Sequence, residues 1–110
     1  MNSTFDINGV KIGNDAQLLL IAGPCVLESH ALVQEIAEEL VCIARDAGVG
    51  LIFKGSFDKA NRTSISSNRG PGLEAGLEML AEVKEQFHIP VTTDIHEASQ
   101  ANEVASVVDV

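Results

Sequence analysis

The sequence predicts an α/β fold built on a parallel sheet, and three observations carry the prediction. Short apolar runs of strand length, "QLLLIAG", "GLIFK" and "IPVTTDI", are separated by longer segments whose apolar residues recur at helical spacing. Gly, Pro or polar residues follow each run, where a strand stops. Strands that alternate with helices pair in parallel through right-handed crossovers.

The elements follow in chain order. In "FDINGVKIG" apolar residues flank Asn8-Gly9, the dipeptide best suited to a type I′ turn, so a hairpin is expected over 4–13. "QLLLIAG" reads as a strand buried on both faces. Ser29 is the expected N-cap of a helix in which Leu32, Ile36, Leu40, Ile43 and Ala47 form one face, and Gly48 stops it. "GLIFK" is a second buried strand. Leu73, Leu77, Leu80, Val83 and Phe87 then mark a second amphipathic helix. "IPVTTDI" is a third strand, a short helix follows around Ser99 to Val104, and "VVDV" reads as the start of a fourth strand.

The expected order over residues 1–110 is a hairpin, then β-α-β-α-β-α-β. This is either a small open sheet or the first half of a closed (β/α)₈ barrel, which takes about 250 residues. A chain that stops inside the apolar run "VVDV" favours the half-barrel. Both architectures build their sites at the C-terminal edge of the strands. Cys25, Lys54 and Asp94 fall at that edge.

Charge sharpens the expectation. The chain has seven Lys and Arg against sixteen Asp and Glu, and its net charge of −9 argues against a nucleic-acid partner. Four of the seven cations, Lys54, Lys59, Arg62 and Arg69, lie between residues 54 and 69 with Asp58 as the only acid. That connection follows a strand and precedes a helix, so it lies where parallel sheets bind ligands. Arg62 offers a planar fork for a phosphate or carboxylate, and Lys54 and Lys59 offer point charges. Ser56, Asn61, Thr63 and Ser64 add hydroxyl and amide partners. The plain alternative is a solvated loop balanced by nearby acids, but these cations are segregated from the acids. The connection is therefore expected to bind an anionic ligand of one or two phosphates or carboxylates.

Other motifs weigh less. The glycines of "RGPGLEAG" lack dinucleotide-fingerprint spacing, and a turn opening the next helix accounts for them. Cys25 follows Gly23-Pro24, where its sulfur is either a site group or a small buried hydrophobe. Cys42, between Val41 and Ile43, is expected to pack within its helix. Asp94 and His96 supply two of the three or four ligands zinc requires, so Asp94 reads better as a hydroxyl acceptor or charge partner. Glu28 is equally a site acid or part of the helix start. No basic n-region with an apolar h-region opens the chain, and no apolar run nears the roughly 20 residues of a membrane span, so the cytoplasm is expected. There the two cysteines stay reduced, and the sequons at Asn2 and Asn61 are chance matches.

"AGPCVLES", "FKGSFDKANRTS", "RGPGLE" and "TDIHE", in this order, closely resemble the N-terminal part of the 3-deoxy-D-manno-octulosonate 8-phosphate synthases. The resemblance runs from about Phe5 to Val110, and "SFDKANR" is its most specific string. The sister 3-deoxy-D-arabino-heptulosonate 7-phosphate synthases share the "AGPC"-like start but read Lys-Pro-Arg-Thr in the loop. The resemblance implies the N-terminal part of a (β/α)₈ TIM barrel, about half of it, preceded by the hairpin. It also implies a tetrameric cytoplasmic enzyme that condenses phosphoenolpyruvate with arabinose 5-phosphate for lipopolysaccharide synthesis.

Residue by residue, the resemblance implies that Lys54 and Lys59 contact phosphoenolpyruvate and the sugar at the reacting centre. Asn61 would bind sugar hydroxyls, Arg62 and Thr63 the phosphate of arabinose 5-phosphate, and Asp94 the sugar near its aldehyde. Thr63 stands where serine is common in the family. Cys25 stands where the metal-free class has Asn, so the resemblance implies the metal-dependent class, with Cys25 as one ligand of a divalent ion. The other ligands, a His, a Glu and an Asp, are expected on later strands, beyond Val110. The 110 residues alone are therefore expected not to catalyse. A half-barrel that binds phosphate without chemistry is the non-enzymatic alternative.

Overall fold

The structure, a computed structural model, describes residues 4–14, 16–58 and 70–110. Strands β1 (Thr4–Ile7) and β2 (Val10–Gly13) pair antiparallel, with Ile7 opposite Val10 and Thr4 opposite Gly13. Asn8 and Gly9 turn the chain at φ 46° and 93°, both positive as a type I′ turn requires. The Gly9 N–H donates to Asp6 Oδ1 at 2.8 Å and closes the turn.

Three parallel strands follow in the order β3 (Leu19–Ala22), β4 (Gly50–Lys54) and β5 (Val91–Thr92). Helix α1 (His30–Ala47) joins the first two and α2 (Leu73–Phe87) the second two. Ser29 caps α1 by accepting from the Leu32 N–H, and Gly48 ends it in the left-handed conformation at φ 70°. Both helices touch each other and share one core with Phe53 and Val91, so they cover the same face of the sheet. Sequential strand order with both crossovers on one face is a run wound in one direction. A doubly wound sheet would reverse its order and carry helices on both faces.

The core centres on Leu27, Phe53, Phe57, Leu80, Val83 and Val91, each at most 1% exposed. Burial of each such side chain is worth about 1.5–3 kcal/mol. The hairpin lies at the opposite end from the strand C-termini. Val10 packs on Gly50, where β4 begins, and a Cβ on Gly50 would crowd it.

Four local expectations differ from the structure. β3 is not buried on both faces: it is an edge strand, and Leu18 and Ile21 are 78% and 51% exposed. The buried line of α1 runs through Val33, Ala37 and Ala44, while Ile43 faces outward. The small alanines let α1 approach α2 and the sheet closely, so the larger apolar residues flank the contact rather than centre it. Cys42 is exposed for the same reason, since it points away from that line.

The fourth difference concerns the last residues. After a 3₁₀ turn (Ala98–Gln100) and the short helix α3 (Ala101–Ala105), "VVDV" comes alongside β5 without forming a ladder. The Asp109 N–H donates to the Val91 carbonyl at 3.0 Å, and the Val91 N–H donates to the Asp109 carboxylate at 3.1 Å rather than to a backbone carbonyl. Lys84 Nζ holds the same carboxylate and the Val107 carbonyl, each at 3.0 Å. A side chain thus takes the place of a rung. Among the described residues, no helix is long and apolar enough to cross a membrane.

Candidate functional site

A cavity of about 330 Å³ opens at the C-terminal edge of the parallel sheet, lined by Gly23, Pro24, Cys25, Lys54, Ser56, Asp58 and Asp94. Its construction starts at Gly23, one residue past β3. A Cβ there would fall inside the carbonyl of Lys54, so only glycine lets the two strand ends come together. Pro24 then turns the chain and Cys25 emerges beside β4. Beyond the turn the chains pair again, through a parallel bridge from Val26 to Ser56 and a bond from the Leu27 N–H to the Ser56 carbonyl at 3.0 Å.

Lys54 is placed by strand alternation. Phe53 points into the core with no exposure, so its neighbour points to the other side and stays exposed. Ser56 folds the next turn: its Oγ donates to the Asp58 carbonyl at 2.9 Å and accepts from the Asp58 N–H at 3.3 Å. One lone pair of that hydroxyl remains. Asp94 arrives two residues past β5. Its Oδ1 is buried without a hydrogen-bond partner among the described residues, and its Oδ2 lies 3.4 Å from His96 Nε2.

The structure therefore brings four of the expected residues, Cys25, Lys54, Ser56 and Asp94, to one cavity. Lys59, Asn61, Arg62 and Thr63 lie outside the described residues. The two ends of that segment meet at Phe57. Gly70 presses against the Phe57 carbonyl, which also accepts from the Gly72 N–H at 3.0 Å, and Asp58 leaves from the cavity rim. Among the described lining residues one ammonium faces two carboxylates, and the further cations expected here, Lys59, Arg62 and Arg69, lie outside the described residues. Glu28 is exposed and does not line the cavity.

Sequence reasoning missed three contributors. Gly23 was read only as a strand end, although "GP" after an apolar run signals a tight turn. Asp58 was counted as a charge and not as a lining residue. His96 was weighed only as a metal ligand, and nothing in the sequence announces its packing on Phe57.

A divalent ion fits these residues in part. Cys25 is free and exposed on the cavity, a thiolate donor suited to a soft or borderline metal. Among the described residues no group of three or more His, Cys, Asp or Glu is placed to hold a metal. A complete coordination shell therefore needs ligands beyond the described residues.

A profile of the DAHP synthetase I family matches residues 2–110. Curated relatives carry the name 2-dehydro-3-deoxyphosphooctonate aldolase. The one from Fusobacterium nucleatum is 53% identical over 96% of this chain and 40% of its own length. That of Desulfatibacillum aliphaticivorans is 50% identical over the whole chain and 41% of its own length. That of Xanthomonas oryzae pv. oryzae is 57% identical over 93% of the chain and 37% of its own length. The chain therefore spans about two fifths of the length of these relatives. With a matched profile over nearly every residue and a cavity at the strand ends, this chain belongs to the DAHP synthetase I family.

Proposed function

We propose that the protein containing this chain condenses phosphoenolpyruvate with D-arabinose 5-phosphate, giving 3-deoxy-D-manno-octulosonate 8-phosphate and phosphate for lipopolysaccharide synthesis. One carbon–carbon bond forms between the enol methylene and the sugar aldehyde, and one water is consumed as phosphate leaves. The observation that carries this reading is the convergence of Cys25, Lys54, Ser56 and Asp94 on one cavity in a chain whose relatives share the octulosonate name. The family profile bears the name of the sister heptulosonate synthases, and the relatives' name together with "SFDKANR" argues for the octulosonate substrate.

Within this reading Lys54 contacts phosphoenolpyruvate as a point charge and stabilises the charge that develops as its phosphate leaves. Asp94 accepts from sugar hydroxyls near the aldehyde and holds that carbon for attack. Lys59 joins Lys54 at phosphoenolpyruvate and the sugar's reacting centre, Asn61 binds sugar hydroxyls, Arg62 and Thr63 hold the sugar phosphate, and Ser56 shapes the turn that leads to them. Cys25 contributes one ligand to a divalent metal, with the other ligands outside this chain. When bound, such an ion polarises the aldehyde and orients a water. The one-directional βα run supports a (β/α)₈ barrel of which this chain is the N-terminal part. Subunits assembled as a tetramer and a cytoplasmic location complete the reading.

The test is substrate choice. The purified protein made from the native gene should release phosphate from phosphoenolpyruvate with arabinose 5-phosphate. Turnover with erythrose 4-phosphate instead would assign the sister reaction, and turnover with neither sugar would remove the enzymatic reading.

A further inference from the structure

His96 is held at three points. Its backbone N–H donates to Gln100 Oε1 at 2.9 Å, and the Glu97 N–H donates to the same oxygen at 3.2 Å. Its ring meets Phe57 edge-on, with centroids 5.7 Å apart and planes at 75°, a favourable aromatic geometry. Its Nε2 lies 3.4 Å from Asp94 Oδ2. Phe57 is itself fixed: it is 1% exposed, and Gly76 of α2 approaches it so closely that a Cβ would overlap its own. The imidazole thus sits between Phe57 and Asp94, in an exposed residue whose ring is steadied on one side by a buried aromatic.

From this geometry we infer that His96 is a positioning residue for Asp94, and that Phe57 sets its angle. No hydrogen bond from a described residue fixes the rotation of the Asp94 carboxylate, whose Oδ1 is buried and unpartnered among the described residues. A carboxylate on two free torsions samples several rotamers. A cationic or N–H-bearing ring against one oxygen selects one of them. The Phe57 carbonyl also accepts from the Gly72 N–H, and Gly70 approaches it closely, which holds Phe57 from a second side. The inference rests on the synthase reading for its kinetic consequence but not for its geometry.

The test uses the full-length protein and two readouts. In kinetics, His96→Ala should lower kcat/KM for arabinose 5-phosphate about tenfold to a hundredfold, the range a small misplacement produces. The KM for phosphoenolpyruvate should stay near wild type. His96→Gln, which keeps an N–H donor, should recover most of the loss. Adding Asp94→Asn to His96→Ala should cost far less than Asp94→Asn alone, because the two act as one unit. Additive losses, or equal effects on both substrates, would overturn the inference. In ligand-free crystal structures, wild-type Asp94 should occupy one rotamer and the His96→Ala protein several. An unchanged Asp94 there would overturn the inference even if the protein proved inactive, an outcome that by itself counts only against the synthase reading.

Discussion

Gly23 lies against the backbone carbonyl of Lys54 with no room for a side-chain carbon between them. This contact joins the ends of β3 and β4 and brings Cys25 to the same cavity as Lys54. Gly23→Ala must therefore push one strand end away. It should destabilise the protein by about 3 kcal/mol or more, at the upper end of what overpacking costs. A denaturant midpoint close to wild type would show that the contact yields easily.

Asp109 does two jobs at the other end of β5, pairing with Lys84 and accepting from the Val91 N–H. Asp109→Asn keeps an acceptor for Val91 and should cost about 1 kcal/mol, whereas Asp109→Ala leaves two groups unmet and should cost about 2–4 kcal/mol. Equilibrium unfolding of both variants measures the difference. Equal losses would mean that the Val91 bond contributes nothing.

Lys54 is exposed and makes no packing contribution to the core, so Lys54→Met should leave thermal stability unchanged. If it stabilises developing charge, kcat/KM should fall about a hundredfold or more. Lys54→Arg should restore little, because a planar fork does not replace a compact ammonium. Steady-state kinetics with phosphoenolpyruvate varied decides this.

Cys25→Ala should remove one ligand from the proposed metal site. Bound divalent metal per subunit, measured by atomic emission after dialysis, should drop well below that of wild type. Full metal content in the variant would take Cys25 out of the ligand set.

The polypeptide of residues 1–110, made by itself, should not turn over either sugar phosphate, since its described residues place no group of three or more ligands to hold a metal. Ile21 on the edge strand β3 and Leu18 just before it are exposed, and such an edge invites pairing with another copy. Light scattering should detect self-association that Leu18→Lys together with Ile21→Lys reduces. A monodisperse monomer without those changes would contradict the prediction.

The parts of the fold that local chemistry decides were legible in the sequence. Asn8-Gly9, the Ser29 cap, the Gly48 stop and the unbroken run Leu51-Ile52-Phe53 each act within a few residues. So does the placing of Cys25, Lys54 and Asp94 at one edge, because parallel strands all end on the same side. What escaped depends on distant partners. Ile21 is apolar enough for a core but lies on a strand that, among the described residues, has a neighbour on one side only. Cys42 sits in an apolar stretch of α1, yet the helix rests on its alanines. Asp109 substitutes for a ladder rung that no periodicity announces. His96 matters only because the loop after β5 brings it against Phe57, thirty-nine positions earlier in the chain.

The most direct measurement is a crystal structure of the full-length protein with phosphoenolpyruvate bound. The ligand should lie in the cavity between Cys25, Lys54 and Asp94, with an anionic group on Lys54 Nζ. Phosphoenolpyruvate bound elsewhere, with Lys54 and Asp94 untouched, would contradict it.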